Sequence, residues 1–346
     1  MSTNTAWRLP SGGAGISALK KVSEPRPSPL LHQYLVRVRA VSLNFRDVAI
    51  ANGFYGMPVK ENVVLGGDLA GEIVEAGSAT TKFKVGDRVT ANFFPEHYYG
   101  SLESDPPNLG GPIDGTLQEY RVFDEMALLR APAYLSYEEL SCFPIAGVTA
   151  WNALLGGGTP LRPGQTVLFQ GTGGVSIFGL QIAHAAGAKT IVTSSSDEKL
   201  ELAKKLGATH VINYKKTPDW DKEAKKLTKG VGAHHVIDNV GIAEIERCFG
   251  SVARGGTISN IGFLGGMKQP KAVNTPILAL MSGSQMRGVQ VGSKQQYEDL
   301  LEFAEVYQIH PYIHKVFEFD QVPEAVRYLE SAQHFGKIVV KVGSEQ

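Results

Sequence analysis

Residues 166–206 are the stretch that most limits what this chain can fold into. The apolar run Thr166–Gln170 precedes a glycine turn, and an apolar helical pattern follows from Val175 to Gly187. A second β-branched run, Thr190–Thr193, comes before another helical pattern. The order strand, turn, helix, strand, helix predicts a βαβ unit within a parallel sheet.

The glycine turn has the spacing of a dinucleotide-binding fingerprint, with serine in place of the third glycine: Gly171-x-Gly173-Gly174-Val175-Ser176. The first glycine permits a tight turn, and the second lets backbone N–H groups approach a pyrophosphate at the helix N-terminus. We therefore expect Gly171, Gly173, Gly174 and Val175 to bind a dinucleotide. The alternative is an ordinary glycine-rich loop of an α/β protein.

Length and composition narrow the possible functions. The 346 residues suit two domains, and a net charge of +0 gives no electrostatic reason to expect nucleic acid or an anionic membrane as a partner. Two cysteines supply neither a disulfide framework nor a four-cysteine zinc site. Residues 1–15 lack the apolar core of a secretory signal, and no apolar run approaches the length of a membrane span. We expect a cytoplasmic protein.

The N-terminal third has the pattern of a small β-rich domain. Residues 1–31 are rich in Pro, Ser and Gly and predict an irregular lead-in around one early strand. Tyr34–Ser42 alternates apolar and basic residues and predicts a half-exposed strand. Short strands broken by glycines are expected within 65–77 and 85–89, which is typical of a barrel. A polar loop at 95–115 precedes a strand at 116–122.

The middle of the chain alternates strands and helices. After a helical segment at 136–155, four further strands are predicted beyond the two of the βαβ unit, with helices between them at 199–206, 219–227 and 242–252. Six strands with intervening helices indicate a doubly wound parallel sheet. The four strands are 211–213, 235–238, 257–261 and 286–291. A helix at 295–307 and a strand at 337–342 have no place in that sheet, so we expect them to return to the first domain.

Several motifs in one order resemble the medium-chain dehydrogenase/reductase superfamily, and most of all its zinc-free quinone oxidoreductase-like branch. The resemblance implies a GroES-like β-barrel catalytic domain (1–141 and 292–346), an inserted Rossmann domain (142–291), an active site in the cleft and a homodimer formed through the edge strand of the Rossmann sheet. The motifs are Asn44-Phe45-Arg46-Asp47, Gly66-Gly67-Asp68-x-Ala70-Gly71-Glu72, Val85-Gly86-Asp87-Arg88-Val89, Ala146-Gly147-Val148-Thr149-Ala150-Trp151, the glycine turn and His334-Phe335-Gly336-Lys337.

The resemblance also identifies the positions at which zinc-dependent members carry metal ligands. This chain has Asn44, Gly67 and Ile145 there, which are poor zinc ligands or none. We therefore expect no metal. Without a Lewis acid, a plain ketone or alcohol is hard to activate, whereas quinones and α,β-unsaturated carbonyls accept hydride at carbon more easily.

Three residues are candidates for catalysis. The resemblance places Asn44 at the floor of the cleft near the nicotinamide ribose or substrate oxygen, although it could be a turn residue after a strand. Tyr55 could donate a proton or a hydrogen bond to an enolate, or it could be a packed loop aromatic. Asp47 is expected to orient the loop rather than transfer protons. Arg46 could equally be a surface cation.

Further residues are expected to bind the cofactor. Thr149 matches a family position beside the nicotinamide, although its hydroxyl could instead bond back within a helix. A further set of residues lies at or near the carboxyl ends of sheet strands, where open α/β sheets bind ligands, and the resemblance implies that they lie beside the nicotinamide. They could also be simple strand-end packing. This set comprises Asn239, Val240, Ile261, Val289 and Val291, and the C-terminal motif adds Lys337.

The residues after the second strand favour NADPH over NADH. An NAD enzyme carries an acid there, whereas this chain has Ser194 and Ser195, followed by Lys199 one turn along. The acids Asp197 and Glu198 are explained by helix capping, with Ser195 and Glu198 as the predicted capping box. Tyr214 matches a residue that flanks the adenosine phosphate in NADPH-dependent relatives. A solvated lysine and a surface tyrosine are the alternatives.

Three functions follow. The first is an NADPH-dependent reductase of quinones or activated alkenes. The second is a zinc-free NADP-dependent alcohol or aldehyde dehydrogenase, and the third is a non-catalytic NADPH-binding protein, since a fold alone does not establish activity. The loop at 95–115 and the region 264–285 are expected to shape the substrate pocket.

Overall fold

The chain divides into two compact units, each described here by itself. The computed structural model describes residues 2–102, 104–266 and 273–343, so Glu103 and part of the predicted pocket region 264–285 lie outside the described residues. The first unit comprises Met1–Val148 and Gly292–Gln346, and the second comprises Thr149–Val291. The division after Val148 replaces the predicted boundary at 141/142, whereas the predicted boundary at 291/292 coincides with the second division.

The first unit contains two sheets. Its strands are β1 (Thr3–Leu9), β2 (Lys20–Pro25), β3 (Gln33–Ser42), β4 (Val63–Val64), β5 (Ala70–Ala76), β6 (Arg88–Ala91), β7 (Tyr120–Asp124), β8 (Leu128–Arg130), β15 (Ile313–Glu318) and β16 (Lys337–Lys341). Its helices are α1 (Phe45–Ala51), α2 (Tyr137–Leu140), α9 (Lys294–Tyr307) and α10 (Val322–Glu330). The sheet orders are β2-β1-β4 and β15-β16-β3-β5-β6-β8, and β7 also pairs with β3.

The prediction of one early strand in residues 1–31 is wrong. β1 and β2 form an antiparallel pair in which Thr3 lies opposite Pro25 and Arg8 opposite Lys20. The prediction of irregular structure rested on prolines and glycines, and these mostly flank the two strands. The one proline within them, Pro25, lies at the end of β2, where a missing N–H is tolerated. β3 is also more buried than its alternating pattern predicts, because it pairs with β5, β7 and β16.

The C-terminal segment returns to the first unit, as the sequence predicts. β16 runs antiparallel to β3, with Val340 opposite Val41, and Leu43 donates its N–H to the Ile338 carbonyl at 2.9 Å. This pairing brings the start of β16 beside the end of β3. Residues distant in sequence therefore share one small region, which contains the candidate catalytic residues.

The second unit is a doubly wound parallel sheet with helices between its strands. The strands are β9 (Thr166–Gln170), β10 (Lys189–Ser194), β11 (His210–Asn213), β12 (Ala233–Asp238), β13 (Val252–Asn260) and β14 (Gln285–Gly288), in the order β11-β10-β9-β12-β13-β14. The helices are α3 (Val148–Leu155, which begins at the division), α4 (Gly174–Ala185), α5 (Asp197–Lys205), α6 (Trp220–Leu227), α7 (Ile245–Ser251) and α8 (Thr275–Ser282). The predicted fold class is confirmed.

Two local predictions for this part of the chain need correction. The single helical segment predicted at 136–155 is instead α2, a π-helical stretch at Phe143–Gly147 and α3, and the break coincides with Pro144. α8 was not predicted. Every helix in the described ranges is too short or too polar to cross a bilayer. The cytoplasmic location stays a prediction.

The strand order reverses between β9 and β12, which are neighbours although β10 and β11 intervene in sequence. Such a switch point leaves a crevice at the carboxyl ends of the two strands, and open α/β sheets bind their ligands there. Gln170 ends β9 and Asp238 ends β12. The fold therefore positions a cofactor site at the glycine turn that follows Gln170.

Candidate active site

The glycine turn of the second unit leaves room for a pyrophosphate. Gly171 has a φ of 77°, in the left-handed region that glycine adopts without strain, and Gly173 precedes α4 as its N-cap residue with a φ of −79°. A Cβ atom built on either glycine would meet no atom within 4 Å. Backbone N–H groups at the start of α4 are thus accessible, so Gly171, Gly173, Gly174 and Val175 fit the predicted binding of dinucleotide phosphates.

Ser176, at the third-glycine position, uses its hydroxyl to hold the turn through hydrogen bonds. Its buried hydroxyl donates to the Gln170 carbonyl at 2.9 Å, and Asn239 Nδ2 donates both to that carbonyl, at 3.1 Å, and to Ser176 Oγ, at 2.9 Å. The three residues join the ends of β9 and β12 to α4. Asn239 was predicted to contact the cofactor, yet both hydrogens of its amide are used within the protein.

Ser194 and Tyr214 lie together at the carboxyl end of β10. Ser194 is buried, and its carbonyl accepts the N–H of the half-exposed Tyr214 at 3.1 Å. Lys199, one turn along α5, is half-buried, and this burial lowers its pKa below the ordinary value for lysine. The backbones of Ser194 and Tyr214 are thus neighbours at this strand end, the Ser194 hydroxyl accepts the Ser196 N–H at 3.3 Å, and Lys199 lies on the adjoining helix.

The predicted capping box of Ser195 and Glu198 is wrong by one residue. Ser196 is the N-cap of α5, and its hydroxyl accepts the N–H of Lys199 at 3.3 Å. The serines are consecutive, and the sequence does not show which one adopts the extended cap conformation. Asp197 forms an exposed ion pair with Lys216 and accepts Asn213 Nδ2 at 2.7 Å. This carboxylate is therefore already paired with a cation.

The predicted nicotinamide-edging residues follow the carboxyl ends of neighbouring strands. Val240 donates its N–H to Asp238 Oδ1 at 3.1 Å, Ile261 donates to the Asp238 carbonyl at 2.9 Å, and Val289 donates to the Asn260 carbonyl at 3.0 Å. Because β12, β13 and β14 are parallel neighbours, these residues share one edge of the sheet. Thr149, on α3, is buried.

Val291 has a strained backbone. Its φ of 47° is rare for a β-branched residue, and Asn152 Nδ2 donates to its carbonyl at 2.6 Å. Residues held in such conformations cluster at functional sites, where the surrounding structure maintains them. The place of Val291 beside the cofactor stays a prediction.

In the first unit, Asn44 is the centre of a buried polar cluster. It follows β3 and begins α1, and its backbone N–H donates to Asp47 Oδ2 at 2.9 Å. Its side-chain Nδ2 donates to Asp68 Oδ2 at 2.8 Å, while its Oδ1 accepts Lys337 Nζ at 2.7 Å. Two charged side chains therefore determine the position of this amide, and a third, Asp47, bonds the backbone of the same residue.

Asp68 and Lys337 form a fully buried ion pair beneath Asn44. The Asp68 carboxylate accepts the Ser42 hydroxyl and Lys337 Nζ on Oδ2, and it accepts the Ile145 N–H on Oδ1 at 2.8 Å. Lys337 also donates to the Leu43 carbonyl at 2.9 Å. Lys337 was predicted to bind the cofactor, but its three hydrogens are directed at Leu43, Asn44 and Asp68 within this unit.

Asp47 bonds the backbone of Asn44 and lies beside Arg46. Its carboxylate is fully buried, and desolvation raises its pKa above the ordinary value, an effect opposed by the Arg46 guanidinium 3.4 Å away. The acceptor bond from Asn44 N–H fixes the first turn of α1. Asp47 thus holds Asn44 and Arg46 in place.

Arg46 is not a surface cation. Its side chain is 9% exposed, and its guanidinium lies 5.0 Å from the centre of the Tyr55 ring and 5.1 Å from that of Phe93. Arg46 Nε donates to the Tyr55 hydroxyl at 3.2 Å, and Nη2 donates to Asn108 Oδ1 at 3.0 Å. Tyr55 accepts in this contact, so its own hydroxyl proton can be donated elsewhere.

The loop predicted to shape the pocket contains a cavity of about 370 Å³. Its lining includes Glu96, His97, Tyr98, Tyr99 and Leu102. The first N–H groups of α9, from Lys294 and Gln295, donate to the carbonyls of His97 and Tyr98 at 2.9 Å each. These bonds satisfy helix donors that lack partners within the helix and fix the base of the loop.

The residues at the zinc-ligand positions do not fit a zinc ion. A Cβ atom on Gly67 would lie 2.7 Å from Ile145 Cδ1 and 2.8 Å from the Phe93 ring, so apolar groups fill that space. Cys142 is fully buried, its thiol donates to the Glu138 carbonyl, and burial raises its pKa to about 12, which opposes the thiolate that zinc requires. Among the described residues, no three His, Cys, Asp or Glu side chains group as metal ligands.

A doubly wound parallel sheet with an open glycine turn after its first strand is the arrangement that dinucleotide-binding proteins share. Comparisons with known proteins agree. A family model described as "Alcohol dehydrogenase GroES-like domain" matches residues 31–133, and one described as "Zinc-binding dehydrogenase" matches residues 174–305. The chain belongs to the medium-chain dehydrogenase/reductase superfamily.

Three relatives show how far the similarity extends. A zinc-type alcohol dehydrogenase-like protein of Schizosaccharomyces pombe is 45% identical over 314 residues, which cover 90% of this chain and 91% of the relative. The solved structure of an NAD-dependent alcohol dehydrogenase has a TM-score of 0.88 and 31% identity, with 98% of this chain and 100% of that chain covered. A quinone oxidoreductase of Pseudomonas syringae pv. Tomato DC3000 has a TM-score of 0.82 and 26% identity, with 98% and 99% covered.

Gly173→Val should abolish dinucleotide binding and leave the fold intact. The backbone of Gly173 suits a side chain, and a Cβ atom there meets no neighbour, so the new side chain projects where the pyrophosphate approaches. Cofactor titration by nucleotide fluorescence, with thermal unfolding of the same samples, measures both effects. A folded variant that binds the cofactor as tightly as the parent would exclude Gly173 from the phosphate turn.

Proposed function

We propose that this protein is a zinc-independent, NADPH-dependent oxidoreductase that transfers hydride to quinones or α,β-unsaturated carbonyls. The observation that carries the proposal is the Asn44 amide, held between Lys337 and Asp68 at a position where zinc-dependent relatives have a metal ligand. A neutral amide donor suits a substrate that is already activated, because such a substrate needs stabilisation of a developing enolate rather than a Lewis acid.

When bound, the nicotinamide supplies the hydride, and the chain's own groups orient it and the substrate. Backbone N–H groups of Gly173 and Gly174 would hold the pyrophosphate of the cofactor, and Val240, Ile261 and Val289 would lie beside its nicotinamide ring. Asn44 Nδ2 donates to the substrate oxygen, where negative charge develops as carbon accepts hydride. Tyr55 then gives its proton to the reduced substrate, and the Arg46 guanidinium stabilises the tyrosinate until solvent reprotonates it.

The similarity to a quinone oxidoreductase structure supports this reaction. A second candidate is a zinc-free NADP-dependent alcohol or aldehyde dehydrogenase. It is favoured by the name of the S. pombe relative and by the similarity to the structure of an NAD-dependent alcohol dehydrogenase. A non-catalytic NADPH-binding protein is the third. The misfit of the metal-ligand positions argues against alcohol oxidation, because a plain alcohol has to lose its proton before it gives up hydride.

Purified protein should oxidise NADPH in the presence of a quinone or an enone, and Asn44→Ala should lower kcat more than it raises the cofactor dissociation constant. Loss of one oxyanion donor raises the barrier by about 2.7–4 kcal/mol, and we expect a smaller effect here because Tyr55 remains. Steady-state kinetics and NADPH titration measure the two quantities. Asn52→Ala is the matched control, because this asparagine lies at the other end of α1 and bonds Glu330 at the surface.

Other outcomes separate the candidates. Oxidation of a saturated alcohol with NADP⁺, without reduction of quinones or enones, would establish the second function, and tight NADPH binding without turnover would establish the third. Elemental analysis of the purified protein should find no stoichiometric zinc. One zinc per chain, lost together with activity, would overturn zinc independence.

The preference for NADPH rests on the groups at the end of β10. Ser194 and Tyr214 lie together there, Lys199 is on the adjoining helix, and the nearby Asp197 is paired with Lys216. Hydroxyls and an ammonium can bond a 2′-phosphate. Asp197, one of the two nearby acids, is already paired with a cation, whereas Glu198 is left without the capping role that the sequence predicted for it.

NADPH should bind about ten- to a hundredfold more tightly than NADH, because a charge-assisted contact contributes about 1.5–3 kcal/mol. Lys199→Ala should weaken NADPH alone, and Ser194→Asp should narrow or invert the preference by placing a carboxylate against the phosphate. Titration of both cofactors into both variants tests this, with the exposed Lys205→Ala on the same helix as control. Equal affinities in the parent, or equal losses in Lys199→Ala, would indicate an NAD enzyme.

We also propose a homodimer formed through the β14 edge of the parallel sheet. β14 ends the strand order, and large apolar side chains beside it are exposed to solvent: Leu280 (73%), Met281 (70%), Ile277 (50%) and Met286 (42%). A second copy of this edge continues the sheet and covers the same side chains. Light scattering after size exclusion should give a dimer, and Leu280→Lys should give folded monomer. A monomeric parent would exclude the proposal.

A further inference from the structure

The buried pair of Lys337 and Asp68 calls for an explanation beyond stability. The two side chains are 3% and 0% exposed, and removing both charges from water costs free energy that their attraction often fails to recover. Apolar residues of similar volume would fill the same space at least as well. The two charges instead contact the two ends of the Asn44 amide. This placement points to a role in setting the orientation and polarity of that amide.

The two charges allow only one orientation of the amide. Lys337 Nζ lies 2.7 Å from Asn44 Oδ1, and Asp68 Oδ2 lies 2.8 Å from Asn44 Nδ2. A half-turn of the amide would place its NH₂ group against an ammonium and its oxygen against a carboxylate, which is repulsive at both ends. In the favoured orientation one Nδ2 hydrogen bonds Asp68, and the contacts within the described chain leave the second for an incoming oxygen.

The charges also strengthen that remaining donor. A cation at the carbonyl oxygen of an amide draws electron density from its nitrogen, and hydrogen bonds polarise one another in series where water is excluded. An N–H polarised in this way stabilises a developing oxyanion better than the amide of a solvated asparagine. The arrangement gives a neutral side chain part of the electrophilic character that a metal ion would supply.

We propose that Lys337, anchored by Asp68, is a positioning residue that orients and polarises Asn44. The Lys337 ammonium is a cation that belongs to the chain itself, and it lies at a place where zinc-dependent relatives bind metal. The inference deepens the proposed reduction and rests on it.

Rigid elements hold each member of this cluster. Lys337 begins β16, whose backbone pairs with the end of β3, and its ammonium also bonds the Leu43 carbonyl. Asp68 is fixed by the Ser42 hydroxyl and the Ile145 N–H. Pre-organised dipoles of this kind need no rearrangement at the moment of reaction.

The test compares single neutral variants with a double variant. Lys337→Met and Asp68→Asn each leave one buried charge unpaired, so both should lose stability. Lys337→Met with Asp68→Asn removes both charges, and its unfolding temperature should recover. We expect kcat to fall about tenfold or more in all three, with KM and NADPH affinity changed much less, and kcat should stay low in the double variant. The control is Lys294→Met, which removes another buried lysine of the same unit, one that bonds the Met126 carbonyl.

A purely structural role for the pair makes the opposite prediction. In that case kcat would recover together with stability in the double variant, which would overturn the proposal. So would a Lys337→Met variant that keeps the parent kcat.

A second measurement is independent of turnover. In protein labelled with ¹⁵N at asparagine, the Asn44 side-chain amide is assigned by its loss in Asn44→Ala. The chemical shifts of its two protons should lie outside the range of a solvated asparagine amide in the parent, and the protons should exchange slowly with solvent. In Lys337→Met the shifts should move into that range and exchange should become faster. An Asn44 amide that is unaffected by Lys337→Met contradicts the positioning role. An amide that responds as expected in a parent that reduces no quinone or enone contradicts the proposed function alone.

Discussion

The antiparallel pairing of β3 with β16 is the contact on which the first unit depends. It joins residues 33–42 to residues 337–341, and it places a lysine near the C-terminus against an asparagine near the N-terminus. Without this pairing Asp68 would be a buried carboxylate without its cation, and the carbonyl oxygen of the Asn44 side chain would lose its bond to an ammonium. Backbone hydrogen bonds between two strands thus determine the electrostatics of the candidate site.

The second unit depends on a different constraint, the left-handed backbone of Gly171. That conformation turns the chain from the end of β9 into α4, and the absence of a side chain at Gly171 leaves the backbone of the turn accessible. Ser176 and Asn239 then secure the turn by bonding the carbonyl of Gln170. A serine in place of the third glycine therefore strengthens the attachment of helix to sheet.

The sequence predicted the features that rest on local patterns. The glycine turn and the six parallel strands follow from periodicity and spacing over short stretches. The return of the C-terminal strand was expected because that segment has no place in the parallel sheet. The bond between Lys337 and Asn44 joins residues 293 positions apart, and no local pattern encodes it. For the same reason the sequence did not predict the burial of Arg46, which depends on the aromatic rings of Phe93 and Tyr55. Nor did it predict the β1–β2 pair, whose register depends on contacts across a glycine-rich turn.

The division of the first unit between both ends of the chain has a consequence for synthesis on the ribosome. Residues 149–291 are continuous, so the parallel sheet can form as soon as they have emerged. The other unit cannot close until β16 is made, and until then the end of β3, residues 40–42, lacks one strand partner and the charge cluster is incomplete. Slow, non-local closure of this kind exposes a nascent chain to aggregation. A truncation that removes β16 should therefore promote aggregation through β3, although the sequence of β3 itself is unchanged.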